Sequence, residues 1–529
     1  MGQRRGTFVG RQRDLDELWE SLVGATTGRG SLVLVAGEPG IGKTRLADEL
    51  AVRAESLGAG VRWGTCWEGD GAPAFWPWIQ ALRDHAGRRD PATLRAELGD
   101  GAADVARLVP GLAGRLGELP PSPALEPDQA RFRLFDAVAG LLKRAGETEP
   151  LLLVLDDLHW ADRSSLALLR FVARELRDAR VLVLGTYRDV ELGRSPAAEP
   201  LAKLAGRARH LTLGGLGEDD VAELLTLTTG RPPVTDLALA VHRRTGGNPL
   251  FVREVARLLA AEDRPAIPEG VREVLRRRLD QLPAGCADHL AVAAVLGLEF
   301  RLDLLGAVTG RSTEAQLTLL DQAVEARLVE RAPGTVAGYR FTHALLREVL
   351  YERLPAASRV ALHRRAGQVI EERFGADLEP RLAELAHHFR HAAAAGEQRK
   401  AVHYSSLAGR RAMDQLAYAE AATQFERALE ALDLEPAGPA QRCELELALG
   451  EARMAAGEIA AARAGYERAA GLARSIGAAE PLARAALGLG SEVTALVVDE
   501  LQVRLLEEAL EALGADDGCC ARGCWRGWP

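Results

Sequence analysis

The stretch "SLVLVAGEPGIGKTRLADELAVRA", residues 31–54, narrows the fold of this chain more than any other part of it. Its apolar run, Leu32 to Ala36, reads as a fully buried strand. The run enters Gly37-Glu38-Pro39-Gly40-Ile41-Gly42-Lys43-Thr44, which fills every fixed position of a phosphate-binding P-loop. Leu46, Leu50 and Ala54 then recur at helical spacing, so strand, loop and helix follow in the order the motif requires. Glycines let backbone N–H groups close around phosphate, and the helix N-terminus adds partial positive charge. All eight loop residues are therefore nucleotide-binding candidates. Lys43 is placed to reach the β- and γ-phosphates of ATP, and the Thr44 hydroxyl to ligate magnesium. The alternative is a glycine-rich turn followed by a chance Lys-Thr.

A second segment, "LLLVLDDLHWAD", is an apolar strand, Leu151 to Leu155, running into Asp156 and Asp157. Carboxylates at the C-terminal end of a buried strand lie where α/β sheets place their ligands. Asp156 reads as the magnesium partner of Thr44, and Asp157 as the group that orients or deprotonates the attacking water. Alone, two acids after a strand can equally cap the following helix. A third strand, "RVLVLGTYRD", ends at Arg188, either a sensor of the γ-phosphate or a solvated surface arginine. "GVRWGTC" and "HLTLGGL" are further strands, and their alternation with helical stretches predicts a parallel sheet covered on both faces. Trp76 and Trp78 flank Pro77 before a helix; they pin an inserted loop to the domain or form a docking or base-stacking surface.

Composition excludes several function classes. A chain of 529 residues with net charge -9 has room for three or four domains and no general attraction for nucleic acid or anionic lipid. Cys66, Cys286 and Cys443 are isolated, which fits a reducing cytosol better than a disulfide framework. The charged N-terminus lacks the apolar core of a signal peptide, and no apolar run reaches membrane-spanning length, so a soluble cytoplasmic protein is expected. No G-x-S-x-G, H-E-x-x-H or Cys-x-x-Cys offers a second chemistry.

Taken in order, "FVGRQRDLDELW", "GEPGIGKT", "LLLVLDDLHWAD" and "GTYRD" resemble the signal-transducing ATPases with numerous domains (STAND). Within that class they look like the large ATP-binding LuxR-type (MalT-like) regulators of actinobacteria, and the N-terminal part is similar to the origin-recognition-like AAA ATPases. The resemblance runs from residue 6 to about 513 and is most specific over the first 350. It implies a multidomain α/β plus α architecture: a P-loop NTPase domain (1–195), a helical lid (196–265), a winged helix (266–355) and tetratricopeptide-like repeats forming an α-solenoid (356–513).

In the lid, "GGNPLF" places Pro249 at a helix start, where its missing N–H is harmless. The resemblance adds that a proline in this position packs on the adenine. Around "APGTVAG" two β-like stretches form a hairpin, the wing. The preceding helix carries Glu314, Asp321 and Glu325 against one late arginine, the wrong charge for a DNA groove. His343 matches the family position that contacts the nucleotide's diphosphate in the resting state; a plain helix-start histidine is the alternative.

The last third repeats itself. "FERALEAL" from Phe425, "YERAAGLA" from Tyr466 and "LEEALEAL" from Leu506 recur at a period of about forty residues, in the range of paired-helix solenoids. Ala421, Ala422, Ala461 and Ala462 would let neighbouring helices approach closely. A concave solenoid surface suits an inducer or a protein partner. His387, His388 and His391 lack acidic or cysteine partners at metal spacing and read as a solvated helix face.

The expected function is a nucleotide-operated regulatory switch. ADP holds the lid and winged helix against the sheet, a ligand on the repeats favours ATP, opening and self-association, and slow hydrolysis resets the state. The runner-up is an AAA-type ring ATPase that remodels partners. DNA binding by this chain alone is not expected. The tail, "GCCARGCWRGWP", crowds Cys519, Cys520, Cys524, Trp525 and Trp528 without any period. With both arginines taken as CGN codons and cytosine or guanine in the free positions, a one-base shift can read as leucines and arginines at helical spacing, so residues 514–529 read as an out-of-frame tail, with further repeats and a DNA-binding output domain expected in the intact frame.

Overall fold

A computed structural model describes residues 8–67, 71–119, 125–189, 197–206, 208–233, 235–261, 270–332, 337–375, 377–434, 438–490 and 500–513. The proposed out-of-frame tail lies outside the described residues. The chain divides into two compact units: Met1–Gly69, Phe75–Ser122 and Arg133–Val369 form the first, and Asp70–Ala74, Pro123–Phe132 and Ile370–Pro529 the second.

In the first unit, α1 (Gln12–Thr26), β1 (Ser31–Ala36), α2 (Lys43–Ser56), β2 (Gly60–Thr65), α3 (Trp76–Arg88), β3 (Leu151–Asp156), α4 (Arg163–Glu175), β4 (Val181–Tyr187) and β5 (Arg209–Thr212) build the sheet domain. All five expected strands form, in the order β2-β3-β4-β1-β5, and every pairing is parallel. Their side chains alternate between two buried faces. Val33, Val35, Leu152, Val154, Leu182 and Leu184 turn to Leu15, Leu18 and Leu22 of α1 and Leu46 and Leu50 of α2. Leu34, Leu153 and Val183, on the opposite face, are equally enclosed. Trp78 is fully buried, and its indole Nε1 donates to the Ser165 carbonyl at 3.1 Å, so it anchors α3 to α4 and offers no stacking surface.

The sheet passes into α5 (Glu218–Thr229), α6 (Thr235–Thr245) and α7 (Pro249–Ala261), which share the core of Val221, Leu225, Val241, Val252 and Val255. Next come α8 (Val271–Asp280), α9 (Cys286–Leu296), β6 (Glu299–Arg301), α10 (Leu302–Thr309), α11 (Thr313–Glu325), β7 (Val329–Arg331), β8 (Gly338–Phe341) and α12 (Ala344–Arg353). The three strands pair antiparallel in the order β6-β8-β7, and β7 with β8 is the expected hairpin. Helices α9 to α11 with this sheet have the arrangement of a winged helix. Glu314, Asp321 and Glu325 are exposed along α11.

The second unit contains α13 (Leu382–Ala392), α14 (Gln398–Asp414), α15 (Tyr418–Leu432), α16 (Pro439–Ala455), α17 (Ile459–Ile476), α18 (Ala479–Leu489) and α19 (Glu500–Leu513). Each helix packs on the next, and the three repeated motifs fall in α15, α17 and α19. One expectation is corrected here. His388 is only 2% exposed, and burial pulls its pKa down to about 3, so it belongs to the helix interior and not to a solvated face. The reason is register: His388 shares a stripe with the buried Leu385 and Ala392.

A glycine–aromatic pair recurs between paired helices. A Cβ on Gly409 would come within 2.7 Å of the Phe425 ring, and one on Gly450 within 2.8 Å of the Tyr466 ring. Gly471, on α17, faces open space. Among the described residues no helix is long and apolar enough to cross a membrane. Gly450→Ala is expected to destabilise the repeats by about 1–3 kcal/mol through overpacking. Gly471→Ala is expected to stabilise them by up to about 1 kcal/mol through helix propensity. Urea unfolding followed by circular dichroism checks both, and midpoints moving in the same direction would contradict the close approach.

Candidate functional site

The strand order decides what can meet. Because β4 lies between β1 and β3, the C-terminal ends of three neighbouring strands carry the P-loop, Asp156 and the Thr186–Arg188 segment to one edge of the sheet. The loop turns back through Gly37 (φ 154), Gly40 (φ 79) and Gly42 (φ 107), values that exclude most side chains, with Glu38, Pro39 and Ile41 between them. Helix α2 then starts at Lys43, aiming its first N–H groups into the loop.

Lys43 is 6% exposed, and its ammonium donates to the carbonyls of Gly37 at 2.8 Å and Glu38 at 3.0 Å. Burial lowers its pKa, an effect that the nearby Asp157 carboxylate opposes. Thr44 donates its hydroxyl to Asp156, with Oγ1 3.0 Å from Oδ2. From the other side the Thr186 hydroxyl donates to Asp156 Oδ1 and accepts the Asp157 N–H at 2.9 Å. Asp156 is buried, which raises its pKa against the pull of the Thr186 and Thr44 hydrogen bonds and the Lys43 charge. A hydroxyl and a carboxylate converging at the loop are the hard oxygen donors that magnesium prefers, so Thr44 and Asp156 fit that ion. Bound there, magnesium would neutralise phosphate charge.

Asp157 adopts the left-handed conformation at φ 59, turning the chain sharply after β3. Its carboxylate lies 3.8 Å from Nδ1 of His159. His159 is buried, and burial followed by the Arg188 and Lys43 charges lowers its pKa to about 3, so the imidazole is neutral. Arg188 is only 6% exposed, which rules out the solvated-surface reading. It also depresses the Lys43 pKa, placing its charge within reach of the loop lysine.

The lid is built onto the loop. Asn248 donates its side-chain N–H to the Pro39 carbonyl at 2.9 Å, while its Oδ1 accepts the Leu250 N–H at 3.1 Å. The same Leu250 N–H lies 3.2 Å from the Gly40 carbonyl, and a Cβ on Gly40 would stand 2.6 Å from that of Leu250. Pro249 therefore opens α7 directly beside the loop. On the other side, the Arg11 guanidinium donates to the carbonyls of Ile41, at 3.3 Å, and Gly214. His343 stands at the N-cap of α12, half-buried and without a capping side-chain bond.

Thus Gly37 to Thr44, Asp156, Asp157 and Arg188 are brought together, with Pro249 adjacent; for His343 the structure gives a helix-start position. Sequence reasoning passed over Thr186, Asn248, Arg11 and His159, all of which lie inside the quoted motifs. Asn248 was signalled by its place before Pro249, and Thr186 by its place two residues before Arg188. Lys43→Ala is expected to weaken ATP binding at least about a hundredfold, since charge-assisted hydrogen bonds contribute about 1.5–3 kcal/mol each. An unchanged affinity in isothermal titration calorimetry would remove the site assignment.

Residues 7–184 match the family model described as the AAA ATPase domain. The chain is 28% identical over 463 residues to an uncharacterized protein of Rhizobium meliloti (strain 1021), covering 81% of this chain and 43% of that one. It thus spans less than half the length of that curated relative. Among solved structures, it is similar to a Signal Transduction ATPase with Numerous Domains with a tetratricopeptide repeat sensor from Pyrococcus horikoshii, at 14% identity and TM-score 0.48, covering 97% of this chain and 72% of that one. It is also similar to the ORC2 protein of Aeropyrum pernix, at 15% identity and TM-score 0.32, covering 70% of this chain and 98% of that one. The residues that match the AAA ATPase domain hold the P-loop and most of the parallel sheet.

Proposed function

We propose that this chain is an ATP-binding signal-transduction switch of the LuxR-type regulator class, resting with ADP and active with ATP. The observation that supports a switch over a plain ATPase is the joint between lid and loop. Asn248 and Leu250 bond to Pro39 and Gly40, the backbone that would enclose the phosphates. A change in the loop on nucleotide exchange is then felt directly by α7. In this reading Lys43 binds the β- and γ-phosphates, Thr44 and Asp156 hold magnesium, and Pro249 packs on the adenine. Asp157 orients the attacking water, Arg188 answers to the γ-phosphate, and His343 meets the diphosphate in the resting state.

The helical repeats take an inducer or protein partner, and ATP promotes self-association. Hydrolysis is slow because its role is to reset the state. The acidic face of α11 offers no groove-binding charge, so no DNA binding is proposed for this chain alone. The cytoplasm is the proposed location.

Asp157→Asn should keep nucleotide affinity and lower hydrolysis by about a hundredfold or more, the contribution of a positioned general base. The variant should then accumulate as an associated species with ATP in size-exclusion chromatography, while the unaltered chain with ADP elutes as the smaller form. Hydrolysis faster than in the unaltered chain would exclude Asp157 from water activation. A ring already assembled with ADP and turning over briskly would favour the remodelling ATPase instead.

A further inference from the structure

Arg188 has a carboxylate partner that none of the nucleotide motifs supplies. Its guanidinium Nη1 lies 3.9 Å from Oε1 of Glu348, on α12 beyond the wing. Arg188 is buried and Glu348 is largely covered, at 7% and 24% side-chain exposure, so the attraction is screened less than at an open surface. Glu348 is itself held in place. Its other oxygen accepts from Nη2 of Arg272 on α8, and Nη1 of the same guanidinium binds Glu352, one helical turn further along α12, at 2.9 Å. Two helices outside the sheet domain thus present one fixed negative charge to the arginine at the tip of β4.

Resting on the nucleotide-switch reading above, we propose that Glu348 is a specificity-determining residue, standing in for the γ-phosphate at Arg188 and thereby favouring ADP over ATP. The physical argument is competition for one cation. A γ-phosphate arriving at the strand tips brings negative charge to the place where Arg188 already meets a carboxylate. With ADP no such charge arrives, and Arg188 stays with Glu348. With ATP, either Arg188 leaves Glu348 or two like charges crowd one guanidinium. The contact therefore couples nucleotide identity to α12, and by linkage α12 docked on the sheet weakens ATP more than ADP. Because Glu348 touches Arg188 and not the reacting atoms, it acts by position.

The test uses the full chain with ADP and the non-hydrolysable triphosphate AMP-PNP as probes, in the presence of magnesium. Glu348→Gln, isosteric but uncharged, should raise the ratio of AMP-PNP to ADP affinity about fivefold or more, with ADP affinity nearly unchanged. Arg188→Gln should lose the discrimination, and the double variant should match Arg188→Gln alone, because the two residues act as one unit. Unchanged ADP affinity in Glu348→Gln reports an intact fold. If that variant does not fold, Glu348→Asp is read the same way, since it keeps a charge while withdrawing it from Arg188 by one methylene. An unchanged ratio in the folded Glu348 variant overturns the inference, even where Arg188→Gln alters it. Failure of the underlying reading looks different: Lys43→Ala would then leave both affinities untouched.

Discussion

Burial of the Asp156 carboxylate is the constraint on which the rest of the site hangs. A carboxylate removed from water must find donors or it will take up a proton. Here both oxygens find hydroxyls, Thr44 from the first turn of α2 and Thr186 from the end of β4. Thr186 in turn accepts the Asp157 N–H, so the backbone turn at Asp157 is fixed by the group that supports Asp156. One buried charge thus locks three strand ends into a common geometry. Lys43, held on the loop carbonyls, supplies the opposing charge.

The same edge of the sheet carries the joints to the rest of the first unit. Gly40 allows Leu250 to approach closely, and Asn248 both caps α7 and holds the loop through Pro39. Arg11 ties the loop to the segment after β5. Glu348 brings α12 to Arg188. Lid, N-terminal arm and winged helix therefore meet the P-loop edge of the sheet through separate polar contacts. Such contacts can be exchanged one at a time without disturbing the apolar core beneath.

The second unit follows different physics. Its helices are set largely by how closely backbones can pass. Gly409 accepts the ring of Phe425 and Gly450 that of Tyr466, while Ala421, Ala422 and Ala462 are buried between neighbouring helices. Small residues on one helix receiving an aromatic from the next give a stack that repeats with the sequence.

The sequence alone determined the five strands, the loop between β1 and α2, the acids after β3, the wing hairpin and the helical repeats. These follow from local rules: apolar runs of strand length, glycines needed for positive φ, and helical periodicity. It did not determine the strand order, because nothing local records that β4 intervenes between β1 and β3. That order is what gives Thr186 its place on Asp156 and brings Arg188 toward Lys43. Nor did it determine the burial of His388, where helix register rather than residue type decided, or the pairing of Arg188 with Glu348. Those residues stand far apart in the chain, and only the packing of α12 against the sheet domain brings their charges together.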